Sequence, residues 1–193
     1  MRMLVTGSPG CGKTAFCQRV IDSARLDGST VGGVLAPAVC FDGIPIGADA
    51  IDLATRESAP IARLASGDAS FAGDANRPVI MRPGLDLARA ALERAVRQRF
   101  ELIVVDEFGP LELAGGGIRQ EAVDAWNCGR EVLLVVRAGI VDEVVRALGR
   151  PPDLRVVPEA RPLERQHSAD PVAFDATLSG ICHRPARLTL SRV

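Results

Sequence analysis

The chain is poor in several residue types that carry chemistry in other proteins. Its 193 residues include one lysine, no tyrosine and only two histidines, which have no partner at metal-ligand spacing. The five cysteines form no C-x-x-C pair, and their odd number argues against both a disulfide framework and a cysteine zinc site. With a formal net charge of -1, the chain has no general electrostatic attraction for nucleic acid.

Long hydrophobic segments are also missing from the sequence. No apolar run approaches the length of a membrane span, and a motif that begins at residue 7 leaves no room for a signal peptide. We therefore expect a cytoplasmic protein without membrane association. The sequence indicates no particular protein partner.

The one lysine lies in the most informative stretch of the chain, which reads Gly7-Ser8-Pro9-Gly10-Cys11-Gly12-Lys13-Thr14. This is a complete G-x-x-x-x-G-K-[ST] phosphate-binding loop. It follows the apolar run Met3–Val5 and precedes a segment with helical character, which is the context the motif requires. The predicted nucleotide-binding residues are Gly7, Ser8, Pro9, Gly10, Cys11, Gly12, Lys13, Thr14 and Ala15.

Each part of this loop has a physical task in binding a triphosphate. Glycines allow successive backbone amides to turn inward and form a nest for anions. Lys13 brings a positive charge to the β- and γ-phosphates, and the Thr14 hydroxyl is a ligand for Mg²⁺. A helix that begins near Lys13 adds the positive end of its dipole. The sequence therefore predicts a site for a nucleoside triphosphate with Mg²⁺ as cofactor.

A second candidate segment is the apolar strand from residue 101 to residue 107, which ends in two acids. We expect it to be a Walker B strand, next to the strand that carries the phosphate loop. Asp106 would then approach Thr14 and hold Mg²⁺, and Glu107 would polarise an attacking water. The alternative is a pair of acids in a solvated turn.

Strand-like and helix-like segments alternate along the chain, which predicts an α/β fold with a mostly parallel sheet. Asp42-Gly43 between two short apolar runs predicts a hairpin. With short strands at 50–53 and 61–64, it would form an antiparallel extension at the sheet edge. Residues 65–76 are predicted to form a flexible loop. We assign residues 1–157 to one domain and residues 158–193 to a C-terminal tail, surface-packed or partly disordered.

An eight-residue run that starts at the two acids resembles the D-E-[IF]-G-x-[ML]-E-L signature of a family of small P-loop nucleoside-triphosphatases. The run reads Asp106-Glu107-Phe108-Gly109-Pro110-Leu111-Glu112-Leu113. The family includes a thermostable archaeal and bacterial NTPase and the vertebrate cancer-related nucleoside-triphosphatase. Weaker similarity extends from residue 2 to about residue 150.

The resemblance implies a three-layer P-loop fold with a RecA-like core, and hydrolysis of several nucleoside triphosphates to diphosphate and phosphate. It also implies that Glu107 activates the water and that Glu112 belongs to the site, although a capping or salt-bridge acid is an equal interpretation of Glu112. Arg137 ends the next strand, where it would stabilise charge on the γ-phosphate or simply be an exposed arginine. The predicted catalytic residues are Glu107, Lys13 and Arg137.

The chain departs from the family pattern after the second strand. Ala36-Pro37-Ala38-Val39-Cys40 replaces a run that carries a charged pair in relatives, so rate and base preference cannot be transferred. Two other functions stay open at this point. One is a small P-loop kinase that transfers the γ-phosphate to a nucleoside, a nucleotide or another hydroxyl, although no arginine-bearing lid is evident. The other is a nucleotide-gated switch that binds a partner.

Overall fold

A computed structural model describes residues 1–64, 78–158 and 189–191 of the chain. The predicted loop at 65–76 and most of the predicted tail lie outside these residues. In this part of the chain no helix is long and apolar enough to cross a membrane. The strands are β1 (Arg2–Gly7), β2 (Val31–Leu35), β3 (Ala38–Phe41), β4 (Ile44–Asp52), β5 (Ser58–Leu64), β6 (Pro78–Ile80), β7 (Leu102–Phe108), β8 (Glu131–Arg137), β9 (Leu154–Val157) and β10 (Thr189–Ser191). The helices are α1 (Lys13–Leu26), α2 (Arg82–Arg97), α3 (Pro110–Leu113), α4 (Arg119–Asn127) and α5 (Val141–Leu148).

The strands form one sheet in the order β10-β9-β1-β8-β7-β2-β4-β5-β6, with β3 paired to β4. All pairings from β9 to β2 are parallel, and all pairings outside this core are antiparallel. The expected α/β class, with a parallel core and an antiparallel extension joined through β2 and β4, is therefore confirmed.

Burial on both faces explains why the central strands are almost continuously apolar. One face packs against α1 through Phe16, Cys17 and Ile21, and the other packs against α2, α4 and α5. In β8 every residue from Val132 to Val136 is buried, as expected for a strand covered by helices on both sides. The result is a three-layer arrangement.

The strand order corrects one expectation about the site. We expected the strand of the phosphate loop and the Walker B strand to be neighbours, but β8 lies between β1 and β7 and pairs with both. Strand order depends on how the crossover helices pack, and no local sequence pattern encodes it. The three strands still end at the same edge of the sheet, which collects their terminal residues in one place.

Some element boundaries also differ from the sequence prediction. β4 is a single strand that includes both the second arm of the hairpin and the segment predicted as a separate strand near residues 50–53. The short helix α3 and the strand β10, which pairs with β9, were not predicted.

The antiparallel extension is fastened to the core by a buried ion pair. Arg94 of α2 contacts Asp52 at the end of β4, and the Asp52 side chain is only 1% exposed. The other carboxylate oxygen of Asp52 accepts hydrogen bonds from the amides of Ala54 and Thr55 at 2.8 and 3.3 Å. The Arg25 guanidinium of α1 also donates to the Leu53 carbonyl at 2.6 Å. These contacts fix the position of β4 relative to the two helices.

Candidate active site

The phosphate loop connects β1 to α1, and its conformation requires glycine. Gly12, which precedes the first residue of α1, has a φ of 88°, a value that glycine adopts without strain. At Gly7, φ is 150°, and a Cβ atom would lie only 2.5 Å from the Sγ of Cys11. The loop can therefore close tightly enough for its amides to converge on an anion.

Lys13 curls back over this loop. Its Nζ donates hydrogen bonds to the carbonyl oxygens of Gly7 and Ser8, both at 3.0 Å. The ammonium group is thus held above the concave side of the loop by groups that carry no full charge. A phosphate oxygen arriving there would gain a charge-assisted hydrogen bond from the same ammonium group.

Asp106 is a buried acid at the carboxyl end of β7, with 5% of its surface exposed. Its Oδ2 accepts a hydrogen bond from the Thr14 hydroxyl at 3.4 Å and another from the Ala36 amide at 3.3 Å. Burial raises the pKa of Asp106 to about 7, and the nearby charge of Glu107 adds to the increase. In the described residues, no positively charged side chain forms a hydrogen bond with this carboxylate. A bound cation would provide the positive charge that is missing there.

The ligand chemistry at this point fits Mg²⁺. Hydroxyl and carboxylate oxygens are the donors that Mg²⁺ prefers, and the ion usually takes one or two protein ligands while phosphates and water supply the rest. Within residues 1–64 and 78–158 there is no cluster of three or more His, Cys, Asp or Glu side chains that would form a protein-only metal cage. Thr14 and Asp106 together fit a magnesium ion that arrives with a nucleotide.

Glu107 and Arg137 form an ion pair through the Arg137 Nε and a carboxylate oxygen of Glu107. They project from the ends of neighbouring parallel strands, β7 and β8. The Glu107 side chain is 27% exposed and the Arg137 side chain 58% exposed, so both can be reached from solvent. The structure thus brings Arg137 into contact with Glu107, and it also shows Arg137 as an exposed arginine at the end of β8, so both interpretations of this residue stay open.

Glu112 makes the contacts of a capping acid. One carboxylate oxygen accepts the Gly109 amide at 2.8 Å and the other accepts the Ile118 amide at 3.4 Å. Burial raises the pKa of Glu112, while these two hydrogen bonds stabilise its charged form. Because both oxygens are occupied by backbone donors at the ends of the α3 region, the geometry favours the capping interpretation of Glu112.

A cavity of about 970 Å³ opens between the phosphate loop, the ends of β2 and β7, and the antiparallel extension. It brings together all the predicted catalytic and metal-binding side chains: Lys13, Thr14, Asp106, Glu107 and Arg137. Of the other predicted nucleotide-binding residues, Pro9, Gly10, Gly12 and Ala15 line it. Gly7, Ser8 and Cys11 do not line it, and two of them act as hydrogen-bond acceptors for Lys13.

Sequence reasoning missed two parts of this site. The Ala36 amide bonds to Asp106, although the segment around it was noted only for lacking a charged pair. The antiparallel extension was predicted, but the sequence did not indicate that its strands β3, β4, β5 and β6 form a wall of the cavity. Its alanines carry no chemical signal, and only the strand register could have revealed that they share a face.

A family model described as NTPase matches residues 2–163 of this chain. Among curated proteins, the Nucleoside-triphosphatase THEP1 of Pyrococcus abyssi is 30% identical over 151 residues, covering 78% of this chain and 81% of that protein. The Nucleoside-triphosphatase THEP1 of Methanopyrus kandleri is 33% identical over 111 residues, covering 58% of this chain. The chain spans only 59% of the length of that relative, which is less than two thirds.

The fold is shared with a solved structure, the crystal structure of THEP1 from Aquifex aeolicus. The TM-score is 0.62 at 22% sequence identity, and the superposition covers 86% of this chain and 92% of the other. At this identity the likeness supports the fold alone. The matched family region, residues 2–163, contains every residue that lines the cavity.

Proposed function

The chain belongs to the NTPase family of small P-loop proteins, and from this premise we propose that it hydrolyses nucleoside 5'-triphosphates to diphosphates and phosphate with Mg²⁺ as cofactor. One observation carries the proposal: the phosphate loop, a buried acid beside the Thr14 hydroxyl, and a second acid paired with an arginine all line the same cavity. The names of the similar curated proteins support the same activity.

Binding of the triphosphate is the task of the loop and of α1. The amides of the loop and the N-terminus of α1 provide partial positive charge, and Lys13 supplies a full charge to the β- and γ-phosphates. Since Lys13 already lies over the loop through its bonds to Gly7 and Ser8, little side-chain entropy remains to be lost on binding.

Thr14 and Asp106 would hold the magnesium ion. When bound, the ion neutralises charge on the β- and γ-phosphate oxygens. For this role Asp106 must be ionised, and its hydrogen bonds from Thr14 and Ala36 orient the carboxylate toward the cavity end that holds the loop. Burial keeps this carboxylate away from bulk water, so its charge acts in a medium of low dielectric constant.

In this proposal Glu107 accepts the proton of the attacking water. The water oxygen forms a bond to the γ-phosphorus, the bond from that phosphorus to the bridging oxygen breaks, and the diphosphate leaves with the bonding electrons. Arg137 contacts Glu107 before nucleotide arrives. Its guanidinium has several donors, so it can bond the γ-phosphate while still orienting the glutamate.

The proposal is tested by phosphate release from ATP, GTP, CTP and UTP, each with Mg²⁺ and with EDTA. We expect release from all four in Mg²⁺ and none in EDTA. Lys13→Ala should weaken nucleotide binding and abolish turnover, because the phosphates lose their cationic partner. Release that persists in EDTA, or nucleotide binding that does not change in Lys13→Ala, would contradict the proposal.

A further inference from the structure

The turn that connects α3 to α4 contains three consecutive glycines at positions 115–117. The residues on either side of them, Ala114 and Ile118, both line the cavity. Glycine loses more conformational freedom on folding than any other residue, so three in a row strongly disfavour a single conformation. This turn, residues 114–118, which we call the glycine turn, therefore depends on contacts from outside it to keep its shape.

Arg89 of α2 provides such a contact. Its Nε and Nη2 both donate hydrogen bonds to the carbonyl oxygen of Gly117, at 3.0 and 2.6 Å. Gly117 is buried, and a buried carbonyl group is unfavourable unless it accepts a hydrogen bond. Arg89 itself does not line the cavity and lies 28 positions before the residue that it contacts. The guanidinium therefore ties the glycine turn to a different helix.

Gly117 in turn lies directly against the Glu112 carboxylate. A Cβ atom on Gly117 would be only 2.0 Å from the Oε1 of Glu112, so the backbone of the turn forms the surface on which this oxygen rests. The next amide in the chain, that of Ile118, donates to the same Oε1 at 3.4 Å. Movement of the glycine turn would therefore shift or release the Glu112 carboxylate.

The other oxygen of this carboxylate connects the turn to the reaction centre. The Glu112 Oε2 accepts the Gly109 amide at 2.8 Å. A Cβ atom on Gly109 would lie 3.6 Å from that Oε2 and 3.9 Å from the Oε1 of Glu107, which is the oxygen that contacts Arg137. The backbone at Gly109 thus lies close to both carboxylates, and Glu112 fixes the chain two residues after Glu107.

We propose that Arg89 is a positioning residue for hydrolysis. By holding the glycine turn it keeps the Glu112 carboxylate on the Gly109 amide, and this bond fixes the backbone that carries Glu107. The inference rests on the proposed function for the role of Glu107 as the base. A base must lie within hydrogen-bond reach of the attacking water, so a displacement of about 1 Å is enough to slow the reaction about 100-fold.

The groups that bind the nucleotide are held by other contacts. Lys13 is bonded to carbonyl groups of the phosphate loop, and Asp106 accepts hydrogen bonds from Thr14 and Ala36. Loss of the Arg89 contact should therefore slow turnover while nucleotide binding stays the same. This difference is what distinguishes a positioning residue from a residue that only stabilises the fold.

The alternative is that Arg89 only braces α2 against α4. Its Nε also lies 3.8 Å from the Oε1 of Glu121, whose side chain is 15% exposed. The two hydrogen bonds to Gly117 are shorter than this ion pair, and the charge of a pair near the surface contributes little. The geometry therefore favours the glycine turn as the place where Arg89 acts.

The first test measures kcat for phosphate release and the Kd for Mg²⁺ and nucleotide in Arg89→Met, which removes the donors but keeps an apolar side chain. We expect kcat to fall by about 10- to 100-fold at an unchanged Kd. Arg82→Met is the same substitution at a 90% exposed position of α2 and should change neither value. Assays run below the melting temperature of each variant exclude unfolding as the cause. An unchanged kcat, or a nucleotide affinity that falls as much as kcat, overturns the proposal.

A double-mutant cycle tests whether Arg89 acts through Glu112. In that case Arg89→Met combined with Glu112→Gln should be no slower than the slower single variant. Losses that multiply in the double variant contradict this route. Glu121→Gln removes the ion pair to α4 but leaves the bonds to Gly117, so its kcat should equal that of the wild type. A loss in Glu121→Gln as large as that in Arg89→Met shows that bracing of α4 is the cause.

Amide hydrogen exchange without nucleotide separates this inference from the proposed function, because it needs no turnover. The amides of Gly109 and Ile118 should exchange faster in Arg89→Met than in the wild type, and at the wild-type rate in Arg82→Met. Unchanged exchange of both amides in Arg89→Met overturns the inference and leaves hydrolysis in place. A wild type that releases no phosphate removes the proposed function, whatever the exchange shows.

Discussion

Glu107 and Arg137 come from neighbouring strands and contact each other at the mouth of the cavity. In the proposed mechanism the carboxylate accepts a proton in the transition state, while the triphosphate is held by other groups. Glu107→Gln should therefore bind Mg²⁺ and nucleotide about as well as the wild type but lose roughly 10²–10⁴-fold in kcat.

Steady-state phosphate release and equilibrium nucleotide binding check this prediction. Glu93→Gln, an exposed acid on α2, is the matched control and should retain the wild-type rate. A Glu107→Gln enzyme with an unchanged kcat would exclude this residue as the base.

Asp106 gives a prediction about pH. Its pKa is raised to about 7, chiefly by burial, so the nucleotide-free fold favours the protonated form. The stabilising contribution of that proton is complete below the ordinary aspartate pKa and is lost as pH rises through about 7. Asp106→Asn mimics the neutral form of this side chain. The free energy of unfolding of this variant should therefore be close to that of the wild type at pH 4 and about 1–3 kcal/mol higher than that of the wild type at pH 8.

Melting curves from pH 4 to pH 9 without nucleotide test the sign of this effect. The same substitution removes a charged ligand for Mg²⁺. Addition of Mg²⁺ and nucleotide should therefore raise the Tm of the variant less than it raises the Tm of the wild type. A difference in Tm that is largest at pH 4 would contradict the assignment of the shift to Asp106.

At the scale of the element, α3 and its cap illustrate what the sequence left undecided. Glu112 was interpreted either as a site residue or as a capping acid, because a signature run identifies residues without showing which atoms meet. The structure shows its oxygens bonded to the amides of Gly109 and Ile118. The strand that ends in the two acids, by contrast, was predicted at 101–107 and is observed at Leu102–Phe108, since period and apolar content are local properties of the chain.

The cap leads to a prediction about two glycines. A Cβ atom at Gly117 would lie 2.0 Å from the Glu112 Oε1, whereas at Gly115 it would meet nothing within 4 Å. Both residues have positive φ, so either alanine substitution strains the backbone, but only Gly117→Ala also displaces the capping carboxylate. Gly117→Ala should lower the free energy of unfolding by about 1–3 kcal/mol more than Gly115→Ala.

Denaturant unfolding of the two variants measures this difference. Because the Gly109 amide lies two residues after Glu107, the loss of the cap should also reduce the hydrolysis rate more in Gly117→Ala than in Gly115→Ala. Equal stability of the two variants would show that Glu112 does not hold this helix in place.

At the scale of the whole molecule, the extension and the core act as one body through the pair formed by Arg94 and Asp52. Asp52 is 1% exposed, and removal of its partner leaves a buried charge without compensation. Arg94→Ala should therefore lower the free energy of unfolding by about 3 kcal/mol, whereas the exposed Arg97→Ala on the same helix should change it by less than about 0.5 kcal/mol. Urea unfolding checks both values.

This pair and the position of β8 mark the limit of prediction from the sequence. The phosphate loop, the acids at the end of β7 and the hairpin were all identified, because each has a signature within a few consecutive residues. Arg94 and Asp52 are 42 positions apart, and β8 follows β7 in the chain but inserts between β7 and β1. Contacts of this kind arise from packing, which one sequence does not display.

The insertion of β8 determines how the two halves of the site are held relative to each other. Two strand spacings, roughly 9.5 Å, separate the backbone that carries the loop from the backbone that carries the acids. Because β8 is hydrogen-bonded along both sides, this separation is rigid. The distance between the phosphate loop and the acids is therefore set by the sheet and does not depend on the conformation of a connecting loop.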